Sequence, residues 1–189
     1  MSRFTVVFDA CVLYPAPLRD ALMRLALTGL FKAHWTEEIH QEWIQAVCRN
    51  NPKLNPELID RTRQLMNTHV GDAVVTGYEP LIESLSLPDP NDRHVLAAAI
   101  HSNASAIVTH NLKDFPEDAL SPHGIEALHP DEFIYLQIEI SSSSCLTAFK
   151  NQRLALKNPP LAVDEFLRTL RQQQLPKTVS FLQQHTELI

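Results

Sequence analysis

The sequence predicts an α/β protein, with a central parallel sheet covered by helices on both faces and a small helical extension at its C-terminal end. Short apolar runs rich in β-branched residues, typical of buried parallel strands, alternate along the chain with longer segments of helical periodicity. The length of 189 residues is sufficient for one compact core and a small appendage. The order of the strands in the sheet is left open by the sequence.

The candidate strands are short. Residues 4–8 (FTVVF) form a continuous apolar run that ends at Asp9, and residues 105–109 (SAIVT) form a second one. Both have the composition of strands that are buried on two faces. Two weaker strands are predicted at residues 73–75 and 125–128.

Helices are predicted between the strands. Leucines from Leu18 to Leu25 repeat at helical spacing in front of Gly29, a typical helix stop. Thr36 is a candidate N-cap for a second helix, whose apolar face centres near Trp43. The remaining helical segments are residues 57–69, 79–85 and 92–102, and a helix that opens at Pro130.

The chain is predicted to divide into a main domain, residues 1–140, and a helical extension, residues 141–189. The serine run from Ser141 to Ser144 marks the boundary. Beyond it we expect three helices, the middle one with apolar residues at i, i+3, i+4 and i+7: Val163, Phe166, Leu167 and Leu170. This stripe predicts burial, by default against the main domain and alternatively against a partner.

Composition limits the class of protein. Hydrophobic residues make up 44% and charged residues 20% of the chain, as in ordinary globular domains. No apolar stretch approaches the roughly 18 residues of a membrane-spanning helix, and the N-terminal run is too short for a secretory signal. The three cysteines are an odd number without a C-x-x-C pair, which favours small buried thiols over disulfides or thiolate-bound zinc. We therefore expect a cytoplasmic protein without membrane contact.

The net charge of −6 is unevenly distributed. Residues 141–189 carry six Lys and Arg against three Asp and Glu, a balance of +3, and residues 1–140 carry ten against nineteen, a balance of −9. An acidic body binds nucleic acid poorly by itself, because Lys and Arg make the phosphate contacts. It suits a site built from carboxylates around divalent cations.

Three aspartates are candidates for such a site. Asp9 and Asp114 follow the two strongest strands, and ligands of open α/β sheets bind beyond the carboxyl ends of the strands. Asp92 lies in the first turn of the helix 92–102, where backbone N–H groups and the helix dipole stabilise negative charge. Two of them have an ordinary structural alternative, Asp9 as a turn cap and Asp92, or its neighbour Asp89, as a helix N-cap.

A fourth acid is chosen among the three glutamates of the helix after Thr36. At about 100° per residue, Glu42 lies at the edge of the apolar face, whereas Glu37 and Glu38 point toward solvent. An acid at the boundary of the core is better placed to face a cleft, and a surface salt bridge is the alternative for any helical glutamate.

Clustered carboxylates repel each other, and they are tolerated where cations neutralise them. Oxygen ligands without a Cys or His site favour Mg²⁺ or Mn²⁺. Such ions orient a water molecule, stabilise charge on a phosphoryl group and assist its leaving oxygen. Together the acids predict a metal-dependent site for phosphoryl chemistry.

Four segments resemble, in order and spacing, the acidic motifs of PIN-domain ribonucleases, above all the VapC-like toxins of type II toxin–antitoxin pairs: FTVVFDACVLYP, TEEIHQEW, LPDPNDRHVLAAAI and IVTHNLKDFP. The resemblance covers about residues 1–140. It implies a three-layer α/β/α fold, Mg²⁺- or Mn²⁺-dependent endoribonuclease activity on RNA and inhibition by a small antitoxin, and it leaves a homodimer open. The extension is similar, more loosely, to one found in a subset of these toxins.

Matched by position, the acids of that family fall on Asp9, Glu42, Asp92 and Asp114. Thr109 and Asn111 match its polar loop positions, and Asp89 is a candidate extra ligand. Residues near the motifs that could contact RNA are Arg19, Arg93, His94 and Lys113; solvated surface charge is the alternative for the basic ones. His94 and His110 are interpreted mainly as polar residues at the rim of a cleft, and the alternative is that they touch phosphate or transfer protons.

The basic residues of the extension have two interpretations. Either they hold RNA or an acidic antitoxin beside the cleft, or their charges are merely solvated on helices that cover apolar surface. The residues in question are Lys150, Arg153, Lys157, Arg168 and Arg171.

Other functions are ranked lower. A haloacid-dehalogenase-type phosphatase also begins with a strand and an aspartate, but it would need a second aspartate where this chain has Cys11. No H-E-x-x-H, glycine-rich phosphate loop or G-x-S-x-G occurs. The alternatives to a toxin are a housekeeping RNA-processing nuclease, a structure-specific DNA nuclease and a non-catalytic PIN-like scaffold that binds RNA or protein.

Overall fold

A computed structural model describes residues 4–189 of the chain. Its helices and strands are, in order, β1 (Phe4–Phe8), α1 (Ala10–Leu13), α2 (Ala16–Ala26), β2 (Phe31–His34), α3 (Glu37–Asn50), α4 (Pro56–His69), α5 (Glu79–Ile82), α6 (Arg93–His101), β3 (Ala106–Val108), α7 (Glu117–Leu120), β4 (Glu126–Leu128), α8 (Pro130–Ile140), α9 (Ser142–Ala155), α10 (Val163–Gln172) and α11 (Pro176–Gln183). Short 3-10 helices occupy Pro90–Asp92, Leu112–Asp114 and Ser121–His123.

The four strands form one parallel sheet in the order β2-β1-β3-β4. Val6 of β1 pairs with Ala33 of β2 on one side and with Ala106 of β3 on the other. β1 is therefore central, and its last three residues are fully buried. Because the strands are parallel, their carboxyl ends lie at one edge, and this edge carries Asp9 and Thr109.

The predicted α/β class with a parallel sheet is confirmed. The strands predicted around residues 4–8, 105–109 and 125–128 are present, whereas residues 73–75 contribute only a single bridge, between Val74 and Trp35. β2 is a strand that the sequence analysis does not predict. Its segment FKAH alternates buried and exposed side chains at the edge of the sheet, so it lacks the continuous apolar run that identifies β1 and β3.

Local signals set several helix ends. The Thr36 hydroxyl accepts a hydrogen bond from the Ile39 N–H at 3.1 Å, so Thr36 is the N-cap of α3, as predicted. After α2 the chain turns at Gly29, whose φ of 74° lies in the left-handed region. α6 begins at Arg93, because Asp92 belongs to the preceding 3-10 helix. α5 ends at Ile82, three residues earlier than predicted.

Contacts divide the chain into two compact units. The first comprises the chain up to Tyr14 together with Phe31–His129 and contains the whole sheet; the second comprises Pro15–Leu30 and Pro130–Ile189. This division falls between His129 and Pro130, whereas the predicted boundary follows residue 140, at the end of α8. The assignment of domains stays a prediction. The serine run, proposed as a boundary, begins α9.

The second unit consists of helices. α2 contacts α9 and α10, and the Gln152 side chain of α9 donates a hydrogen bond to the Pro17 carbonyl of α2 at 2.7 Å. The predicted burial of the apolar stripe of α10 is confirmed for Phe166, Leu167 and Leu170, whereas Val163 is only partly buried. No helix in the described part of the chain is long and apolar enough to cross a membrane.

Candidate active site

Asp9 lies at the carboxyl edge of the sheet, where hydrogen bonds hold it. Its backbone N–H donates to the Val108 carbonyl at 3.1 Å, which continues the pairing of β1 with β3. The Thr109 hydroxyl donates to Asp9 Oδ2 at 2.7 Å, and Asp9 is only 5% exposed. Within residues 4–189 the Asp9 side chain makes no hydrogen bond that caps α1. The alternative of a simple turn cap is therefore wrong.

Thr109 also connects Asp9 to the loop that carries Asp114. Besides donating to Asp9, the Thr109 hydroxyl accepts the Asn111 N–H at 2.9 Å. The chain then enters the 3-10 helix that ends at Asp114, whose side chain is partly exposed. Asn111 itself is exposed at the surface of the loop.

Cys11 is a site residue that the sequence analysis missed. Its Sγ donates to Asp9 Oδ2 at 3.0 Å and lies 3.3 Å from Thr109 Oγ1. Burial, followed by the charge of Asp9, raises the pKa of the Cys11 thiol to about 12, so the thiol stays protonated and remains a donor. No spacing or motif distinguishes this cysteine from an ordinary buried one.

Asp92 lies directly in front of α6. Asp89, rather than Asp92, caps this region, since its carboxylate accepts the Asn91 N–H at 2.9 Å. Burial raises the pKa of Asp92 from its ordinary 3.8 to about 6, and the charges of four other acids add to the rise: Asp9, Asp89, Asp114 and Glu42. Coulomb interactions weaken with distance and with solvent screening, so the rise indicates that these carboxylates form one electrostatic cluster.

Glu42 joins this cluster from α3. Its Oε1 lies 3.0 Å from Nε2 of His94, the second residue of α6. His94 is only 3% exposed, so its interpretation as a residue at the rim of a cleft is wrong, and little of its surface is left for RNA. Burial lowers the pKa of His94, but the hydrogen bond and charge of Glu42, with smaller effects of Glu38 and Asp9, outweigh it and raise the pKa overall.

Glu38 also contacts His94, which the helical wheel did not predict. Its Oε2 lies 3.7 Å from His94 Nδ1 and accepts the Tyr78 hydroxyl at 3.2 Å. Its side chain is 49% exposed, so it faces solvent as predicted while its end reaches the imidazole.

The other predicted contact residues are spread over both units. Arg93 donates from Nε to a backbone carbonyl of the preceding turn, and Lys113 is exposed. Arg19 lies on α2 in the second unit, where burial lowers its pKa. His110 lies at the end of β3 with Nδ1 3.2 Å from Nε2 of His129; burial, followed by the charge of His129, lowers its pKa.

The donor chemistry of the cluster suits a hard divalent cation, because the acids offer only carboxylate oxygens. Across residues 4–189, no three Asp, Glu, His or Cys side chains are arranged closely enough to hold a metal ion. The acids are thus close enough to raise the pKa of Asp92 but are not drawn together around one point.

Comparisons with known proteins give matches to two parts of the chain. The profile of the PIN domain matches residues 5–113, and the profile of the VapC50 C-terminal domain matches residues 130–184. The chain is 40% identical over 101 residues to the Mycobacterium tuberculosis protein named "Putative ribonuclease VapC50", a match that covers 53% of this chain and 59% of that protein. No solved structure gives a significant match.

Proposed function

Because the chain belongs to the PIN-domain family, we propose that it is a Mg²⁺- or Mn²⁺-dependent endoribonuclease and the toxin of a toxin–antitoxin pair. The observation that carries the proposal is the position of Asp9, a buried carboxylate at the carboxyl edge of the parallel sheet that accepts the Thr109 hydroxyl at 2.7 Å. Burial and the charges of neighbouring acids, Asp9 among them, also raise the pKa of Asp92, and perturbed carboxylates concentrate at functional sites. The proposed ligands are Asp9, Glu42, Asp92 and Asp114, with Asp89 as an additional candidate.

A divalent cation held by these acids would supply positive charge beside the phosphoryl group and activate a water molecule for attack. Hydrolysis forms a bond from the water oxygen to phosphorus and breaks the bond to the leaving oxygen. The chain itself orients its carboxylates: Thr109 and Cys11 donate to Oδ2 of Asp9, which leaves Oδ1 available as a ligand. A nearby cation would favour the ionised form of Asp92, which burial and the charges of the other acids destabilise.

The toxin assignment is supported by the second unit. The matched VapC50 C-terminal domain spans most of the predicted extension. Four of its five basic candidates are exposed and could meet RNA or an acidic antitoxin: Lys150, Lys157, Arg168 and Arg171. Arg153 is different, because its guanidinium donates to the carbonyls of Leu161 and Ile189 and therefore has a structural role. The proposed partners are RNA and an antitoxin encoded by a neighbouring gene, in the cytoplasm.

The experiment that tests this function is cleavage of total RNA by the purified chain with Mg²⁺, Mn²⁺ or EDTA, with the new ends mapped. We expect cleavage only with metal, and none by Asp9→Asn or Asp92→Asn, whose circular dichroism should match the parent. Asp118→Asn, which alters an exposed acid on α7, is the control and should cleave normally. Near-parental activity of either site variant would refute the proposed centre. Cleavage of DNA in preference to RNA would favour a DNA nuclease, and no cleavage of either would favour a scaffold.

A further inference from the structure

His94 connects α6 to the two glutamates on one face of α3. Glu38 and Glu42 are four residues apart, so they lie one helical turn apart on the same side. His94 Nε2 lies 3.0 Å from Glu42 Oε1, and Nδ1 lies 3.7 Å from Glu38 Oε2. The imidazole therefore lies between two carboxylates of one helix.

The partners in this contact differ greatly in exposure. The side chain of His94 is 4% exposed, whereas that of Glu42 is 41% exposed. A half-exposed glutamate samples several rotamers and loses this freedom when it is ordered. A buried imidazole at the start of a helix is fixed by its packing. The hydrogen bond from His94 therefore restricts Glu42 to a position that its own helix does not enforce.

The direction of the hydrogen bond follows from the chemistry of the two groups. An ionised carboxylate only accepts, so Nε2 of His94 must carry the hydrogen and donate it. The bond uses Oε1 of Glu42, and the lone pairs of Oε2 remain available to a cation. His94 Nδ1 is buried, and no group among the described residues lies within hydrogen-bond distance of it. Glu38, the nearest acid at 3.7 Å, lies just beyond that distance.

The position of His94 in the sequence couples this contact to a second acid. Asp92 is two residues earlier, at the N-cap position directly in front of the same helix. The chain around the start of α6 thus supplies one acid of the cluster and the donor that restrains another. The Glu42 carboxylate is thereby restrained by a buried residue of α6 and not only by its own rotamers.

We propose that His94 is a positioning residue for metal binding, whose Nε2–H holds the Glu42 carboxylate beside Asp92 so that Glu42 Oε2 serves as a ligand. This inference rests on the proposed function. Partners that orient a metal-ligating carboxylate or imidazole typically contribute about 10- to 100-fold to metal affinity. His94 is expected to act with that magnitude, through Glu42 and without touching the RNA.

Two substitutions separate the hydrogen bond from the volume of the ring. His94→Leu removes the donor, whereas His94→Gln keeps a side-chain N–H that can reach Glu42. The dissociation constant for Mn²⁺ is measured by calorimetry on the full chain, together with the Mn²⁺ concentration that gives half-maximal RNA cleavage. We expect about 10- to 100-fold weaker Mn²⁺ binding for His94→Leu and a change of less than about threefold for His94→Gln. At saturating Mn²⁺, the kcat of His94→Leu should return closer to the parental value than its Mn²⁺ affinity does.

His40→Leu is the matched control. His40 is a fully buried histidine of α3 whose hydrogen bonds do not involve the acids. Its Nε2 lies 2.9 Å from Asn67 Oδ1, and its Nδ1 accepts the Trp43 indole N–H at 3.0 Å. This substitution should lower the melting temperature and leave the Mn²⁺ affinity unchanged. If it weakens Mn²⁺ binding as much as His94→Leu, a general loosening of α3 explains the effect and the inference is overturned.

A cycle of variants identifies Glu42 as the target. In a Glu42→Gln background, His94→Leu should weaken Mn²⁺ binding no further, and an equal additional loss would overturn the inference. If His94→Leu does not fold, His94→Asn replaces it, since the shorter amide does not reach Glu42 and the same loss is expected. A parent that binds no Mn²⁺ and cleaves no RNA refutes the proposed function. A parent that binds Mn²⁺ through Asp92, combined with a folded His94→Leu of unchanged affinity, refutes only the role of His94.

Discussion

Replacing Asp92 with Asn should stabilise the metal-free protein at neutral pH, although it removes a proposed ligand. In the folded protein the pKa of Asp92 is about 6 instead of the ordinary 3.8, because of burial and the charges of neighbouring acids. Between these pH values the folded state binds more protons than the unfolded state, so the free energy of unfolding falls as the pH rises. The destabilisation is complete above pH 6 and absent below 3.8. Asn carries no charge at any pH, so the substitution removes this destabilisation.

The size of the effect follows from three contributions. A rise from 3.8 to about 6 corresponds to about 3 kcal/mol. Asp92 is partly exposed, however, and screening by solvent reduces this to roughly half. Loss of a negative charge at the N-terminus of α6 opposes the gain by about 0.5 kcal/mol. Within the described chain the Asp92 side chain makes no capping hydrogen bond whose loss would add to this. The net gain is about 1 kcal/mol, or roughly 2–4 °C in melting temperature.

Urea unfolding in EDTA at pH 7.5 and pH 4 measures this gain, which should be present at pH 7.5 and nearly absent at pH 4. Saturating Mn²⁺ should reverse the order of stability, because binding to the folded parent adds about 2.7 kcal/mol at a hundredfold excess over its Kd. Asp118→Asn, at an exposed position, should change the free energy of unfolding by less than about 0.5 kcal/mol at either pH.

Two results would refute the reasoning. One is an Asp92→Asn protein that is less stable than the parent at pH 7.5 in EDTA. The other is a difference between the two proteins that does not change with pH. Either would mean that burial and the charges of neighbouring acids do not raise the pKa of Asp92 in the folded state, and the electrostatic cluster would no longer support the proposed centre.

Added Mn²⁺ should raise the melting temperature of the parent more than that of Asp114→Asn, and identical responses would exclude Asp114 as a ligand. Asp131→Ala should lower the free energy of unfolding by about 1–3 kcal/mol in urea, because the buried carboxylate accepts the N–H groups of Lys177 and Thr178 at the start of α11; a loss below about 0.5 kcal/mol would contradict that role. Charge reversal of three exposed basic residues should weaken the binding of RNA or antitoxin and reduce its salt dependence. Unchanged affinity for both at low salt would mean that these basic residues take no part in binding and that the second unit is purely structural. The residues to reverse together are Lys150, Lys157 and Arg168.

The parts of the fold that the sequence predicts are those in which local pattern determines position. β1 and β3 are largely buried, and their sequences are therefore continuous apolar runs. Thr36 predicts the start of α3, because an N-cap residue acts on its own helix. β2 is different, since its alternating FKAH segment becomes a strand through pairing with β1. Where tertiary pairing decides, short-range pattern is insufficient.

The same distinction applies to the site. Asp9 and Asp114 could be proposed because they follow strands, and the ends of parallel strands meet at one edge. The hydrogen bonds that Thr109 and His94 make to the acids could not be proposed, because donor and acceptor come from distant parts of the chain. Thr109 is 100 residues from Asp9, and His94 is 52 residues from Glu42. These contacts depend on strand register and on the packing of α6 against its neighbours, neither of which leaves a spacing in the sequence.

The acids of the cluster differ in what restrains them, and this difference separates two properties of the site. Asp9 is held by Thr109 and Cys11, and Glu42 is held by His94, so hydrogen-bond donors fix the frame into which a cation would bind. Asp92 is distinguished instead by the charges around it. Changes to the donors should therefore alter metal affinity at every pH above the titration of the acids. Changes to the charge around Asp92 should instead move the pH range over which metal binding develops, because a cation competes with the proton for Asp92 and the neighbouring charges contribute to its raised pKa.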